Sequence, residues 1–175
     1  YKLTKLIDLY NKMSNSEQDS NRTITYQNGD KYVGDLKNGL KHGKGIYYYE
    51  NGNKYEGDWK DDKKEGRGTF YFVNGDKYEG ECKNDKANGK GVKYFKNGDR
   101  YDGDWKDDTM DERGILYSAN GNKFCGEFKN NNVEGKQVFY WNDGDIQMGD
   151  YRNGSFEGKY ITFHPNGEAV VNDEW

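Results

Sequence analysis

Apolar and polar positions along this chain recur at one fixed step. Turn glycines fall at Gly29, Gly52, Gly75, Gly98, Gly121, Gly144 and Gly167, each 23 residues after the last. Asn precedes six of them and Asp143 precedes the other. Two more series keep the step: Tyr32, Tyr55, Tyr78, Tyr101 and Phe124, and Gly34, Gly57, Gly80, Gly103, Gly126 and Gly149. Self-similarity at a fixed period marks a repeat architecture in which each unit packs against its neighbours.

Asn-Gly between short β-prone runs predicts a hairpin closed by a two-residue type I′ turn, because that turn needs positive φ at both central residues. With Asn51-Gly52 as the turn, Tyr48 faces Tyr55, Tyr47 faces Glu56, Tyr49 faces Lys54 and Ile46 faces Gly57. Tyr71 with Tyr78, Tyr94 with Tyr101, and Tyr117 with Phe124 repeat the register. Paired residues share a face of the sheet. This register therefore gathers Tyr48, Tyr55, Trp59, Tyr71, Tyr78, Tyr94, Tyr101, Trp105, Tyr117 and Phe124 on one aromatic face. Tyr47, Phe70, Phe72 and Phe95 fall on a wetter opposite face, against Glu, Lys or Arg.

Polar stretches such as Asp61 to Glu65, closed by Gly66-Arg67-Gly68, read as loops between hairpins. The expected fold is all-β: an elongated, twisted, single-layer antiparallel sheet of about seven tandem hairpins over residues 23–175. Fourteen strands at about 4.8 Å each give a ribbon on the order of 65 Å long. Ahead of it, Leu3, Leu6, Ile7, Tyr10 and Met13 have the spacing of a short amphipathic helix over 1–13, and 14–22 has the composition of a polar linker. That helix has three readings: a cover for the first hairpin's strand edge, a segment lying on the aromatic face, or the end of a neighbouring domain.

Composition narrows this picture. Hydrophobic residues make up only 31% of the 175, and the mean hydropathy is -1.33, too polar for a thick core. Yet 16% are aromatic, including 16 Tyr, and 27 basic residues nearly balance 31 acidic ones. Disordered chains lack aromatics and carry high net charge, so an ordered sheet with one aromatic face is the better expectation. Two cysteines make no disulfide framework, which favours a reducing, cytoplasmic setting. The start at Tyr1 points to a processed product or a segment of something longer.

Tyr55-Glu56-Gly57-Asp58-Trp59-Lys60 followed by Gly66-Arg67-Gly68-Thr69-Phe70, and Asp99 to Lys106, resemble the MORN repeat (membrane occupation and recognition nexus). The resemblance covers about residues 23–175. It implies the hairpin array above and a scaffold in a cytoskeletal, ciliary or cortical setting. Some repeats depart from the pattern: Cys82 replaces Trp, Glu112 and Gln137 replace glycines of Gly-x-Gly, and Gln147 stands in the Tyr position.

Chemistry is sparse. His42 and His164 lie far apart in the repeat order, and neither has Cys partners at zinc spacing. Gly43-Lys44-Gly45 and its counterparts precede strands, whereas phosphate loops precede helices. No catalytic residue, metal site or cofactor is expected. The acidic series Asp35, Asp58, Glu81, Asp104, Glu127, Asp150 and the basic series Lys37, Lys60, Lys83, Lys106, Lys129, Arg152 read as cross-strand pairs. Nucleic-acid binding needs unopposed basic charge and is not expected, and membrane lipid binding should be weak or absent. The expectation is a non-enzymatic scaffold binding an extended or helical protein segment through the aromatic face. A phospholipid-binding tethering module, the regulatory array of a larger enzyme such as a lipid kinase, and pairing with a second copy are the alternatives.

Overall fold

The computed structural model describes residues 4–6, 18–153 and 155–173. Among them, fourteen strands form one antiparallel sheet in strict sequence order. They are β1 (Gln18–Thr25), β2 (Lys31–Lys37), β3 (Leu40–Tyr48), β4 (Lys54–Lys60), β5 (Lys63–Tyr71), β6 (Lys77–Lys83), β7 (Lys86–Tyr94), β8 (Arg100–Lys106), β9 (Thr109–Tyr117), β10 (Lys123–Lys129), β11 (Asn132–Tyr140), β12 (Ile146–Arg152), β13 (Ser155–Phe163) and β14 (Ala169–Asn172). β1 begins at Gln18, so the latter part of the expected linker is strand. Residues 4–6 are helical, while Leu3, Ile7, Tyr10 and Met13 of the expected helix lie outside the described residues.

The turns differ from expectation, and the difference moves side chains between faces. At Asn51-Gly52, Tyr49 N donates to Asn53 O and Gly52 N to Tyr49 O, both at 3.0 Å, with Gly52 at φ +88°. This is a three-residue loop, a type I turn finished by a left-handed glycine. The pairing is therefore Tyr47 with Tyr55, Tyr48 with Lys54 and Gly45 with Gly57. The two-residue turn expected there is corrected by one position, and a one-residue slip sends a strand's side chains to the other face. The type I′ turns lie instead in the stretches read as loops. Asp61 (φ 49) and Asp62 (φ 69) sit between paired Lys60 and Lys63, as Asn84-Asp85, Asp107-Asp108 and Asn130-Asn131 do in later repeats. Short Asx side chains tolerate this conformation where glycine is absent.

Each Gly-x-Gly is a bulge. Gly57 pairs with Gly68 and Trp59 with Lys64, so Asp58 faces a three-residue stretch in which Gly66 takes φ +93°. Asp58 Oδ2 accepts the Arg67 N–H at 2.9 Å and secures the bulge. Both margins of the ribbon are cross-linked from repeat to repeat. On one, carboxylate or amide oxygens of Asp30, Asn53, Asp76, Asp99 and Asn122 accept backbone N–H groups of Glu50, Val73, Lys96, Ala119 and Asn142 at 2.8–3.0 Å. On the other, Asp62, Asp85, Asp108 and Asn131 do the same for Lys41, Lys64, Ala87 and Met110 at 2.8–2.9 Å. Backbone groups left over at the turns are thus satisfied by side chains that also lock adjacent hairpins together.

Candidate functional site

The corrected register divides the ten aromatic residues between two faces. Tyr55, Trp59, Tyr78, Tyr101, Trp105 and Phe124 lie on one, together with Tyr47 and Phe70. Tyr48, Tyr71, Tyr94 and Tyr117 lie on the other.

The first face is the hydrophobic core of this thin sheet. Tyr32, Tyr55 and Tyr101 are fully buried, and Tyr78, Trp59 and Trp105 nearly so. Each tyrosine ring lies flat over a cross-strand glycine pair, as Tyr55 does over Gly57 and Gly68, where a Cβ would overlap the phenol. Its hydroxyl donates to the carbonyl three residues on: Tyr32 to Asp35 at 2.8 Å, Tyr55 to Asp58 at 3.2 Å, Tyr78 to Glu81 at 2.8 Å and Tyr101 to Asp104 at 3.0 Å. Burial pushes these four phenols well above the usual tyrosine range. Trp59 wedges edge-on between Tyr32 and Tyr55 at 5.5 and 5.3 Å, and Trp105 between Tyr78 and Tyr101 at 5.1 and 5.4 Å. Their indole N–H groups donate to Gly45 O at 3.1 Å and Gly91 O at 3.0 Å. Edge-on aromatic contacts and satisfied polar tips make this a stable interior.

The second face carries a ladder that the sequence reading missed. Across consecutive strands run Lys31, Tyr48, Lys54, Tyr71, Lys77, Tyr94, Arg100, Tyr117, Lys123 and Tyr140, each paired with the next. Basic groups sit over the rings at 4.7 Å (Lys31 on Tyr48), 4.1 Å (Lys54 on Tyr71), 4.4 Å (Lys77 on Tyr94), 4.2 Å (Arg100 on Tyr117) and 4.2 Å (Lys123 on Tyr140). Tyr48, Tyr71 and Tyr140 remain more than a third exposed. The basic residue just after each of the first five Asn-Gly-x turns was the available signal. Beside the ladder, an open groove of about 970 Å³ spans β2 to β8, lined by Val33, Ile46, Glu56, Thr69, Glu79 and Val92 among others.

The charge series pair differently from expectation. Asp58 meets Lys44 at 2.5 Å, Asp104 meets Lys90 at 2.6 Å and Glu81 meets Arg67 at 4.0 Å, so the acids pair with the centre of the preceding Gly-x-Gly. His164 Nδ1 lies 2.9 Å from Asp145 Oδ1, where earlier repeats place a backbone N–H. His42 lies 3.4 Å from Asp61. Both cysteines are free, and burial pushes the Cys82 thiol up. Among the described residues no group of three or more His, Cys, Asp or Glu is disposed to hold a metal ion, and no helix is long and apolar enough to cross a membrane.

The family model of the MORN repeat matches residues 32–54, 55–77, 78–100, 101–123 and 124–146. The chain belongs to the MORN-repeat family. Each of the first four matched MORN repeats opens on the tyrosine that lies over a glycine pair, Tyr32, Tyr55, Tyr78 and Tyr101, and the fifth opens on Phe124. Comparison with curated protein sequences finds no match. Among solved structures, the SAS-4 (dCPAP) TCP domain of Drosophila melanogaster, in complex with a proline rich motif of Ana2 (dSTIL), is similar in fold. It has 18% identity and a TM-score of 0.52, over 87% of this chain and 89% of that one. The TCP10 domain of Danio rerio CPAP matches at 15% identity and TM-score 0.26 over 87% and 94% of the two chains.

Proposed function

We propose that this MORN array is a non-enzymatic scaffold whose tyrosine–lysine ladder binds an extended, proline-rich segment of a protein partner in a cytoskeletal, ciliary or cortical assembly. The observation that carries this reading is the spacing of the exposed rings. Successive ladder tyrosines are two strands apart, about 9.6 Å. A polyproline II segment advances ~9.3 Å per three-residue turn, so one residue in three can meet successive rings. Such segments are already extended when free, which limits the entropy lost on docking to aromatic-lined grooves. Tyrosine supplies contact area at low entropy cost, and each ring is already held by a basic group. The Drosophila domain of similar fold, solved with a proline rich motif, agrees with this reading.

A lipid-facing role would need basic charge left unopposed. Here Lys54 lies 3.3 Å from Glu56 and Lys77 2.8 Å from Glu79, within the same face. The reading is tested by selecting from a displayed library of random 12-residue peptides with the intact array and with Tyr48→Ser/Tyr71→Ser/Tyr94→Ser. The expected result is a proline-rich set with prolines at three-residue spacing, lost in the variant. Enrichment of the same peptides by both proteins, or salt-sensitive binding to anionic vesicles with no peptide enriched, would overturn it.

A further inference from the structure

The buried face has one gap in its series of wedges. Trp59 and Trp105 each fill the space between two flat tyrosines, and at the intervening position Cys82 leaves that space between Tyr55 and Tyr78. The cross-strand partner is reduced at the same place. Trp59 pairs with Lys64 and Trp105 with Met110, but Cys82 pairs with Ala87. Two small side chains thus face each other at this level, and a slot of about 370 Å³ opens, walled by Phe70, Phe72, Tyr78 and Trp105. That volume falls within the lower range of small-ligand pockets. Asp85 and Asp108 on its rim are exposed, so the slot reaches the surface.

From these observations we infer that the slot at Cys82 is a second binding site, on the face opposite the ladder, for an indole-type aromatic side chain carried by a protein partner. The array itself specifies the guest. In the two neighbouring equivalents the same walls hold an indole, edge-on to both tyrosines and donating its N–H to a glycine carbonyl. Gly68, the counterpart of Gly45 and Gly91, receives no such N–H from Cys82. Lys64 and Lys93 share the slot with Asp85 and Asp108, so its net charge is balanced, and it is the lysines that lie against rings. Lys41 holds its ammonium 5.2 Å over the Trp59 ring, and its counterpart Lys64 stands at the slot, 5.0 Å from the Phe70 ring. Lys93, 4.8 Å from the Phe95 ring, stands at the slot as well. Two ammonium groups beside an indole-sized space favour a π-rich guest over an aliphatic one.

The test is a titration of the full isotope-labelled chain with indole and with N-acetyl-tryptophanamide, followed by amide chemical shifts, with N-acetyl-leucinamide as the control. Saturable shifts at Cys82, Ala87 and Phe72 are expected, with the leucine compound at least tenfold weaker. Cys82→Trp supplies the wedge from within and should weaken indole binding at least tenfold. Ala87→Lys, which leaves the buried rings untouched, should weaken it too. Absence of saturable shifts, equal binding of the leucine compound, or unchanged affinity in both variants overturns the inference. Tyr71→Ser should bind indole as the parent chain does, so loss of the slot and loss of the ladder reading are separate outcomes.

Discussion

Gln137 donates its side-chain amide to the carbonyl of Glu127 at 2.7 Å, and so supplies the hydrogen bond that Phe124, with no hydroxyl, leaves open. In the preceding repeat the Tyr101 hydroxyl makes that bond to Asp104, across glycines that leave room for its ring. In the fifth repeat the tyrosine and the second glycine have both changed, to Phe124 and Gln137. Gln137 is 2% exposed and also donates to Glu134 O at 2.7 Å. The departures from the repeat pattern here are therefore compensated.

That relationship predicts a non-additive pair. Gln137→Gly alone leaves a buried acceptor unmet and should cost about 1–3 kcal/mol. Phe124→Tyr alone drives a hydroxyl into Gln137. The double variant restores the arrangement at Tyr101 and should recover most of the loss. A double-mutant cycle by chemical denaturation reads the coupling, and additive effects would contradict the pairing.

The buried phenols make alkaline pH a probe of the fold. Tyr32, Tyr47, Tyr55, Tyr78 and Tyr101 are all raised, chiefly by burial. A raised folded value means their stabilisation is complete below the unfolded value, about 10, and is lost as pH rises beyond it. Phenolate absorbance should show a late step coinciding with loss of the sheet signal in circular dichroism. Complete ionisation with the sheet intact would contradict this burial.

Acid acts on the margin cross-links. Asp30 is lowered by hydrogen bonds from Tyr47 and the Glu50 backbone, and Asp76 by the Lys96 backbone N–H. Lowered folded values contribute stability above the unfolded value, about 3.9, and that stability is lost as pH falls through them. Asn53 and Asn122 make the same backbone bond without titrating. Asp30→Asn/Asp76→Asn should therefore flatten the decline in denaturation midpoint between pH 5 and pH 2 while the fold is kept.

Much of this was legible in the sequence because the step of 23 places every turn. The family, the single antiparallel sheet and the strand count all follow from it. The register did not follow, for a physical reason. Asn-Gly fits both a two-residue type I′ turn and a three-residue loop ending in a left-handed glycine, and the run Tyr47-Tyr48-Tyr49 offers an aromatic partner to Tyr55 in either case. The alternation at Phe70-Tyr71-Phe72 is equally permissive. Two features favoured the observed register: the Asp or Asn after each of the first six turn glycines, which reaches across to the next hairpin, and the glycine pair beneath each buried tyrosine ring. The slot was visible only as Cys82 in a tryptophan position. Its depth depends on Ala87, which no repeat series marked.

Tyr71 and Tyr78 lie on opposite faces of the sheet, and one comparison tests that directly. Tyr71→Ser and Tyr78→Ser should be measured side by side for unfolding free energy and for binding of the peptides selected by the parent array. Tyr78→Ser should lose about 3–5 kcal/mol, as removal of a buried ring does. Tyr71→Ser should stay within about 1 kcal/mol of the parent, because only an exposed cation–π contact is removed, and should lose peptide binding. Equal destabilisation by both, or a greater loss from Tyr71→Ser with binding retained, would contradict the division of the sheet into a buried tyrosine–tryptophan face and a ladder that binds.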